Sequence, residues 1–261
     1  MIKANSDDGS HPAGPINTPP GMPSTTSIAG RTDIVADPSQ FAAHVANWFA
    51  ELVNAANRPV RVALCGGNTP RALYTLLGSP EYRARVAWDR VHLYWGDERF
   101  VSHDDRHSNY RMVKETLLAY APIPADQIHP MPVVGYPEDA AQTYQLILHR
   151  AYGADLLDSD RPLFDVNLLG LGADGHTASL LPSQPVLQEQ TRWVAAVPRG
   201  RDHSRLTLTY PALESSRVTA FLVTGIEKTA AVQRARAADV TIPAGALRPK
   251  GEVIWFLDFS A

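Results

Sequence analysis

Residues 168–179 bring glycines and one histidine together directly after an apolar stretch. In order they read Leu-Leu-Gly-Leu-Gly-Ala-Asp-Gly-His-Thr-Ala-Ser, and the histidine is His176. Glycine has no side chain, so its backbone N–H can approach a ligand closely, and histidine has an unperturbed pKa of about 6.5, near neutrality. His176 is therefore a candidate to take up and return a proton during a reaction.

The same glycines satisfy the G-x-G-x-x-G spacing of dinucleotide-binding proteins, with Gly170, Gly172 and Gly175 at the three positions. The surroundings argue against that interpretation. A dinucleotide fingerprint opens a long helix, whereas Pro182 follows only seven residues after Gly175. The negative carboxylate of Asp174 would also lie close to the negative pyrophosphate. A hydrogen bond between this carboxylate and the imidazole of His176 is the more favourable interaction.

A second glycine-rich turn, Gly66–Gly67–Asn68–Thr69, precedes Pro70. Flexible backbone donors and a threonine hydroxyl at the N-terminus of a helix favour a phosphate group. The same residues could equally form an ordinary strand-to-helix turn with a cap. They do not form a Walker loop, because no Gly-Lys-Ser/Thr follows.

Charged residues provide further candidates. Asp97, Glu98 and Arg99 come immediately after a predicted strand, and taken alone they favour a solvated loop with surface ion pairs of little energy. Arg205 and Lys228 are each most often surface cations too, but both stand at element boundaries. There a guanidinium fork and an ammonium could meet a phosphate dianion.

Metal and nucleophile chemistry are poorly supported. His103 and His107, with two aspartates beside His103, resemble a metal-binding set by composition, but the segment precedes a helix cap at Ser108 and favours a solvated loop. Ser179 lacks a G-x-S-x-G elbow, and Cys65 ends a predicted strand, where a small buried apolar side chain is expected. Water is the favoured nucleophile.

Short strands that alternate with amphipathic helices position these residues. The predicted strands are Val60–Cys65, Val91–Trp95, Phe164–Leu169, Trp193–Val197, Arg205–Thr209, Val218–Thr224 and Val253–Asp258. The predicted helices are an apolar stripe from Phe41 to Val53 behind Asp37 and Pro38, Ala72–Leu77 behind a cap at Thr69, a helix capped by Ser108, Glu138–Tyr152 ending at Gly153, and Glu227–Ala238. This alternation predicts an α/β fold whose mostly parallel sheet is covered by helices on both faces.

The candidate residues follow the ends of predicted strands. Gly66–Thr69, Gly96–Arg99 and Gly170–His176 each come directly after one. In open α/β sheets, ligands bind beyond the carboxyl ends of the strands, where loops and helix N-termini converge. We therefore expect all three segments to lie along one rim of the sheet.

Composition narrows the class of protein. The chain has 261 residues, 44% of them hydrophobic, a net charge of −3 and one cysteine. The charge offers no general attraction for nucleic acid or an anionic membrane, and the single cysteine excludes an intrachain disulfide, so a cytoplasmic protein is expected. Residues 1–28 are polar and rich in Pro and Gly and predict a disordered tail before a single domain, 29–261. No signal peptide or membrane span is predicted.

From about Arg31 to Asp258 the chain resembles the family shared by 6-phosphogluconolactonases and glucosamine-6-phosphate deaminases. Five blocks in the same order carry the resemblance: Gly66–Pro70, Gly96–Arg99 with Ser108, Asn109 and Met112, Gly170–Pro182, Arg205–Thr209 and Gly225–Lys228. The resemblance implies a modified doubly wound α/β fold. It also implies hydrolysis of the small-molecule substrate 6-phospho-glucono-1,5-lactone, with no metal and no organic cofactor.

By matching position, the resemblance implies that His176 transfers protons and that Arg205, Lys228 and the Gly67–Thr69 turn hold the phosphate. Arg99 is expected to join them, and Asp97 to help order the site. Either Asp97 or Asp174 would orient the imidazole, while backbone N–H groups near Gly175 would stabilise the oxyanion. The oligomeric state is left as a monomer or a small homo-oligomer.

Departures and alternatives remain. Asn68 stands where the family commonly has serine, which leaves the detailed phosphate contact open. In the deaminase branch, a Phe-Asn-Glu-Pro continuation supplies a carboxylate after the histidine, whereas Ser179–Pro182 supplies none here. A sugar-phosphate sensor without catalysis is a third alternative, but such a sensor usually needs an output module.

Overall fold

A computed structural model describes residues 1, 28–258 and 261 of the chain, so the predicted tail lies almost entirely outside the described residues. The strands are β1 Arg31–Val35, β2 Val60–Leu64, β3 Val91–Trp95, β4 Asp97–Arg99, β5 Ile128–His129, β6 Phe164–Leu169, β7 Val194–Val197, β8 Arg205–Leu208, β9 Ser216–Val223 and β10 Glu252–Asp258. The α-helices are α1 Phe41–Ala55, α2 Asn68–Leu77, α3 Pro80–Arg85, α4 Asn109–Val113, α5 Pro137–Tyr152, α6 Tyr210–Glu214, α7 Thr229–Arg236 and α8 Pro243–Ala246.

Seven strands form a parallel sheet in the order β1-β10-β9-β6-β2-β3-β5. All six residues of the central strand β6 are buried. Because successive side chains of a strand point to opposite faces, both faces of the sheet are covered at this strand. The predicted α/β fold with a mostly parallel sheet is confirmed.

A smaller antiparallel sheet, β4-β8-β7, was not predicted as a separate unit. Its middle strand pairs Asp97 with Thr207 and Arg99 with Arg205. Three consecutive charged residues are atypical of a strand, so local propensity gave no sign of β4. The small sheet fixes the backbone on which two of the predicted cations stand.

Local signals predicted the first helix well. Asp37 accepts a hydrogen bond from the backbone N–H of Ser39 at 2.9 Å, and Pro38 opens a single 3₁₀ turn that leads into α1. One stripe of α1 is buried in the core: Phe41, Val45, Phe49 and Val53. The stripe follows the helical period of 3.6 residues, which is why the sequence revealed it.

The predicted cap at Thr69 is wrong. Gly67 is the N-cap of α2, and the hydroxyl of Thr69 lies 2.7 Å from that of Thr224 at the end of β9. The hydroxyl of Thr69 therefore contacts a residue distant in sequence instead of capping the helix, as local spacing had predicted. Strands β1 and β5 were also missed, because β1 is partly exposed and β5 has only two residues. Within the described residues, no helix is both long enough and apolar enough to cross a membrane.

Candidate active site

The three segments expected along one rim do meet there, around a cavity of about 400 Å³. A cavity of this size accommodates a small organic ligand. Nine of the predicted site residues line it: Gly66, Gly67, Asn68, Thr69, Asp97, Arg99, His176, Arg205 and Lys228. Asp174 and Gly175 do not line it, although both belong to the same glycine turn.

His176 is oriented by Asp174. Nδ1 of the imidazole lies 2.5 Å from Oδ1 of the carboxylate, and the backbone N–H of His176 donates to the same oxygen at 3.3 Å. Partial burial alone would raise the pKa of the Asp174 carboxyl, but the hydrogen bond from His176 and the nearby charges hold that pKa below its usual range. The ionised carboxylate can accept a hydrogen bond from a protonated Nδ1, which leaves Nε2 as the basic nitrogen.

Gly172 makes room for this pair. A Cβ atom on Gly172 would lie 2.0 Å from Nδ1 of His176 and 2.5 Å from Oδ1 of Asp174. The backbone N–H of Gly172 also donates to the carbonyl of His176 at 2.8 Å, which closes the turn. The glycine is therefore required by the close approach of the imidazole and not only by the shape of the loop.

Asp97 has a different role from Asp174. Its Oδ2 accepts a hydrogen bond from the hydroxyl of Ser179 at 2.6 Å, and its Oδ1 accepts one from Nδ2 of Asn109 at 3.3 Å. Nη1 of Arg205 lies 3.8 Å from Oδ2 of Asp97. Of the two aspartates left open by the sequence, Asp174 meets the imidazole, while Asp97 ties together the elements beneath the cavity.

The surface interpretation of Glu98 is wrong, because its side chain is fully buried. The carboxylate accepts the backbone N–H groups of Arg99, Asn109 and Tyr110, each at 2.7 Å, and the hydroxyl of Ser108 at 3.0 Å. Burial raises the pKa of the Glu98 carboxyl to about 7. The backbone donors oppose this effect and lower the pKa, because they favour the charged form. Glu98 thus fastens the start of α4 to β4.

Two arginines from neighbouring strands line the cavity. Arg99 and Arg205 are directly paired across the small sheet. Arg205 donates through Nε to the carbonyl of Gly200 at 2.9 Å and through Nη1 to the hydroxyl of Ser179 at 3.3 Å. Burial lowers the pKa of the Arg205 guanidinium, an effect that Asp97 opposes and Arg99 increases.

Within residues 28–258, Arg99 and Lys228 keep donors without a partner. Nη1 of Arg99 donates to the carbonyl of His107 at 2.7 Å, but its buried Nε has no hydrogen-bond partner in the part of the chain that the structure describes. Lys228 lies in a 3₁₀ turn after β9, where its side chain lines the same cavity. Cationic donors without partners at a cavity wall favour an anionic ligand.

The N-terminus of α2 completes the cavity wall. Its N-cap, Gly67, has a φ of 113°, and no side chain caps the helix. The first N–H groups of a helix have no partner within it and carry a partial positive charge, so they can bind an anion. Next to it, a Cβ on Gly66 would lie 2.1 Å from Oδ1 of Asn109, so this glycine also permits a close contact.

Gly175 does not itself provide an oxyanion donor, whereas a role for the other backbone N–H groups near it stays a prediction. Its N–H is donated to the carbonyl of Gly172 at 2.9 Å, and a Cβ at this position would meet Ile242 at 2.6 Å, away from the cavity. The turn also leads into an isolated bridge between Thr177 and Leu180 and not into a helix, contrary to a dinucleotide fingerprint.

Neither alternative nucleophile is available. Burial raises the pKa of the Cys65 thiol to about 12, so it remains a protonated thiol at neutral pH. Ser179 is fully buried, and its hydroxyl is donated to Asp97. The site therefore contains an oriented base but no activated side-chain nucleophile among these two candidates.

From the sequence, no role was assigned to Arg201, Thr224 or Glu227. Nη2 of Arg201 donates to Oδ2 of Asp174 at 2.6 Å. Thr224 and Glu227 line the cavity beside Lys228. Glu227 lies within the block Gly225–Lys228 that the sequence singled out, whereas Arg201 lies in a polar loop with no spacing pattern.

Comparisons with known proteins show which family the chain is similar to. Residues 36–255 match the family model described as glucosamine-6-phosphate isomerases/6-phosphogluconolactonase. The chain is 41% identical over 204 residues to a 6-phosphogluconolactonase of Synechocystis sp., covering 77% of this chain and 82% of that protein. It is 37% identical over 218 residues to the 6-phosphogluconolactonase of Mycobacterium tuberculosis, covering 79% and 85%. The solved structure of 6-phosphogluconolactonase from Trypanosoma cruzi superposes with a TM-score of 0.76 at 28% identity, covering 90% of this chain and 96% of that one.

Proposed function

The chain belongs to the family of glucosamine-6-phosphate isomerases and 6-phosphogluconolactonases, and we propose that its cleft hydrolyses 6-phospho-D-glucono-1,5-lactone to 6-phospho-D-gluconate. One observation carries the proposal. A single cavity is lined by an imidazole that is paired with a carboxylate and by three cationic side chains. A phosphorylated substrate with an electrophilic carbon matches both features.

The cations bind the phosphate group of the substrate. Arg99 and Arg205 bring two guanidinium groups to adjacent positions, and Lys228 adds a third positive charge. The N-terminus of α2 at Gly67 and Asn68 adds backbone N–H donors. Interactions with the phosphate, which does not react, hold the lactone in the orientation that the reaction requires.

His176 moves the protons of the reaction. Nε2 of the neutral imidazole takes a proton from water while the water oxygen forms a bond to C1 of the lactone. The bond between C1 and the ring oxygen then breaks, and the proton on Nε2 passes to that oxygen. The carboxylic acid product ionises and releases one proton to solvent. Asp174 keeps the imidazole aligned and stabilises its charged form.

The residues around the histidine fit lactone hydrolysis better than amine release. After His176, the hydroxyl of Thr177 donates to the carbonyl of Gly170 at 2.8 Å, and Ala178 and Ser179 carry no carboxylate. A lactone carbonyl is already electrophilic, and no proton on carbon has to be moved. One oriented base is therefore enough for this reaction.

The setting of the enzyme is part of the same proposal. A net charge of −3 and a single cysteine support a cytoplasmic enzyme that acts on a small molecule and does not bind nucleic acid. Residues 29–261 would form the single catalytic domain, working as a monomer or a small homo-oligomer.

The test is a hydrolysis assay on freshly generated 6-phosphogluconolactone at mildly acidic pH, where spontaneous opening is slow. The wild-type protein is expected to accelerate opening well above buffer. His176→Ala should lower kcat by about 10²–10⁴-fold with little change in KM, because general acid–base catalysis contributes that much. His44→Ala removes a histidine of α1 that lies 3.0 Å from Asp33 of β1, and this variant should retain the wild-type rate.

A wild-type rate equal to that of buffer would contradict the proposed function. Full activity of His176→Ala would remove this residue from the mechanism while leaving the lactonase activity in place. Ammonia release from glucosamine 6-phosphate, together with no lactone opening, would assign the protein to the other branch of the family.

A further inference from the structure

The loop between β7 and β8 places the guanidinium of Arg201 beside the pair formed by His176 and Asp174. Nη2 of Arg201 donates to Oδ2 of Asp174 at 2.6 Å, while Oδ1 of the same carboxylate lies 2.5 Å from Nδ1 of His176. The same Nη2 lies 3.2 Å from Nδ1 of His176. One carboxylate is thus shared by a guanidinium and an imidazole.

We propose that Arg201 is a positioning residue for proton transfer, which holds Asp174 against Nδ1 of His176 and balances the charge of that carboxylate beside the ring. The inference rests on the proposed function, because it assigns a role within the same reaction. Arg201 acts through Asp174 and His176 and does not itself bind the substrate.

The number of donors and acceptors on Arg201, His176 and Asp174 supports the positioning role. A guanidinium nitrogen can only donate, so its contact with Nδ1 cannot be a hydrogen bond when Nδ1 carries a proton. Both donors must therefore use the carboxylate, with Oδ2 of Asp174 for Arg201 and Oδ1 for His176. This arrangement fixes both carboxylate oxygens and keeps the basic lone pair of His176 on Nε2.

The charges around the ring support the same role. Alone, the Asp174 carboxylate would favour the positively charged imidazolium, because an opposite charge stabilises the ionised form. Arg201 offsets that carboxylate and places a like charge 3.2 Å from the ring. A general base must be unprotonated when the reaction begins, so a cation that balances the carboxylate beside the ring serves proton abstraction.

The loop that carries Arg201 is held in place. The hydroxyl of Ser204 donates to the carbonyl of Pro198 at 3.0 Å, and Arg205 donates to the carbonyl of Gly200 at 2.9 Å. Arg201 itself has a φ of 60°, a left-handed backbone conformation that costs energy for a residue other than glycine. Strained residues concentrate at functional sites, where the surrounding structure maintains them.

Other charges around the cavity do not replace Arg201. Asp97, Arg99, Arg205, Glu227 and Lys228 also line it. Across residues 28–258, however, Arg201 is the only lysine or arginine within ion-pair distance of Asp174. Asp97 is occupied by Ser179 and lies near Arg205. The balance of charge at the imidazole therefore depends directly on Arg201.

The first test compares the pH profiles of kcat/KM for wild type, Arg201→Gln and Arg199→Gln. Arg199 is exposed on the same loop, so the control removes the same charge without touching Asp174. Arg201→Gln should move the acidic limb to higher pH by about 0.5 unit and lower kcat several-fold, with KM within about twofold. Arg201→Lys should restore the position of the limb, because it restores the charge. Arg199→Gln should match the wild type.

The second test does not need a substrate. In ¹⁵N NMR spectra of the free protein, the His176 imidazole should have a protonated Nδ1 and an unprotonated Nε2 at pH 7. In Arg201→Gln, the Nε2 signal should move toward the protonated position at the same pH. If the wild type opens no lactone but this shift is seen, the proposed function fails while the positioning role stands.

Three results would overturn the positioning role. An unchanged acidic limb with a KM raised tenfold or more in Arg201→Gln would make Arg201 a ligand of the substrate. Equal effects of Arg199→Gln and Arg201→Gln would make the effect a general property of the loop charge. Identical imidazole spectra in wild type and Arg201→Gln would show that Arg201 does not influence His176.

Discussion

Arg99 of β4 and Arg205 of β8 are directly opposite each other in an antiparallel ladder, so their side chains leave the small sheet on the same face. Like charges in such positions repel and destabilise a sheet. The pairing becomes favourable when an anion lies between the two guanidinium groups. The small sheet therefore accepts a local electrostatic cost that a bound phosphate group would relieve.

This pairing predicts how binding responds to loss of one cation. Arg205→Gln should weaken substrate binding by about 1.5–3 kcal/mol, because a charge-assisted hydrogen bond is lost. The change corresponds to a KM raised roughly 10–150-fold. Steady-state kinetics on the phosphorylated lactone measures it, with Arg83→Gln, an exposed arginine on α3, as the control. Unphosphorylated gluconolactone should not distinguish Arg205→Gln from wild type, and an equal loss on both substrates would contradict a phosphate site.

The contact between Gly172 and His176 predicts a catalytic defect from a single methyl group. Gly172→Ala should lower kcat at least about a hundredfold, because the added Cβ would lie 2.0 Å from Nδ1 of the imidazole and displace it. Gly170→Ala adds the same methyl group two residues earlier, where the nearest atom is the carbonyl oxygen of Gly66 at 4.0 Å. Its kcat should stay within a few-fold of wild type. Equal loss in both variants, with unchanged melting temperatures, would mean that the imidazole does not need this space.

Burial of Glu98 predicts a stability defect. Glu98→Gln replaces one acceptor oxygen by a donor that faces backbone N–H groups and should destabilise the fold by about 2–3 kcal/mol. For a domain of this size, the melting temperature should fall by roughly 4–10 °C, as calorimetry would record. Glu115→Gln removes an exposed i,i+4 pair with Arg111 and should lower it by no more than about 2 °C. Similar melting temperatures for the two variants would rule out a structural role of the buried carboxylate.

The raised pKa of Glu214 predicts how the free energy of unfolding depends on pH. Burial raises the pKa of this carboxyl from 4.5 to about 7, although the backbone N–H of Arg248 donates to it at 2.7 Å and Lys250 also lowers its pKa. Between pH 4.5 and about 7, the folded protein binds more protons at this group than the unfolded chain does. The free energy of unfolding should therefore decrease as the pH rises through this range.

Glu214→Gln keeps an acceptor oxygen and removes the titration. Its melting temperature relative to wild type should increase from pH 5 to pH 8. Thermal unfolding at several pH values measures this difference, with Glu51→Gln on the exposed face of α1 as the control. A difference that is constant across the range would show that Glu214 does not titrate between pH 5 and 8 in the folded protein.

The sequence alone determined most of the longer elements and the edge of the sheet where they bring the candidate residues together. Strands β3 and β6 have their predicted bounds, and α5 ends at Gly153 as expected. These features depend on spacing, caps and glycines within a few residues of one another, so local patterns contain them. The shared rim followed from one general rule, that loops at the carboxyl ends of parallel strands converge.

Tertiary structure decided which side chains meet. Asp174 pairs with His176, Asp97 turns to Ser179, and Arg201 reaches Asp174 from a loop 27 residues further along the chain. Burial of Glu98 likewise depends on α4 folding back onto β4. Each of these contacts is a choice among several partners of similar chemistry, and the choice depends on distances that are set only when the two sheets and their loops are packed together.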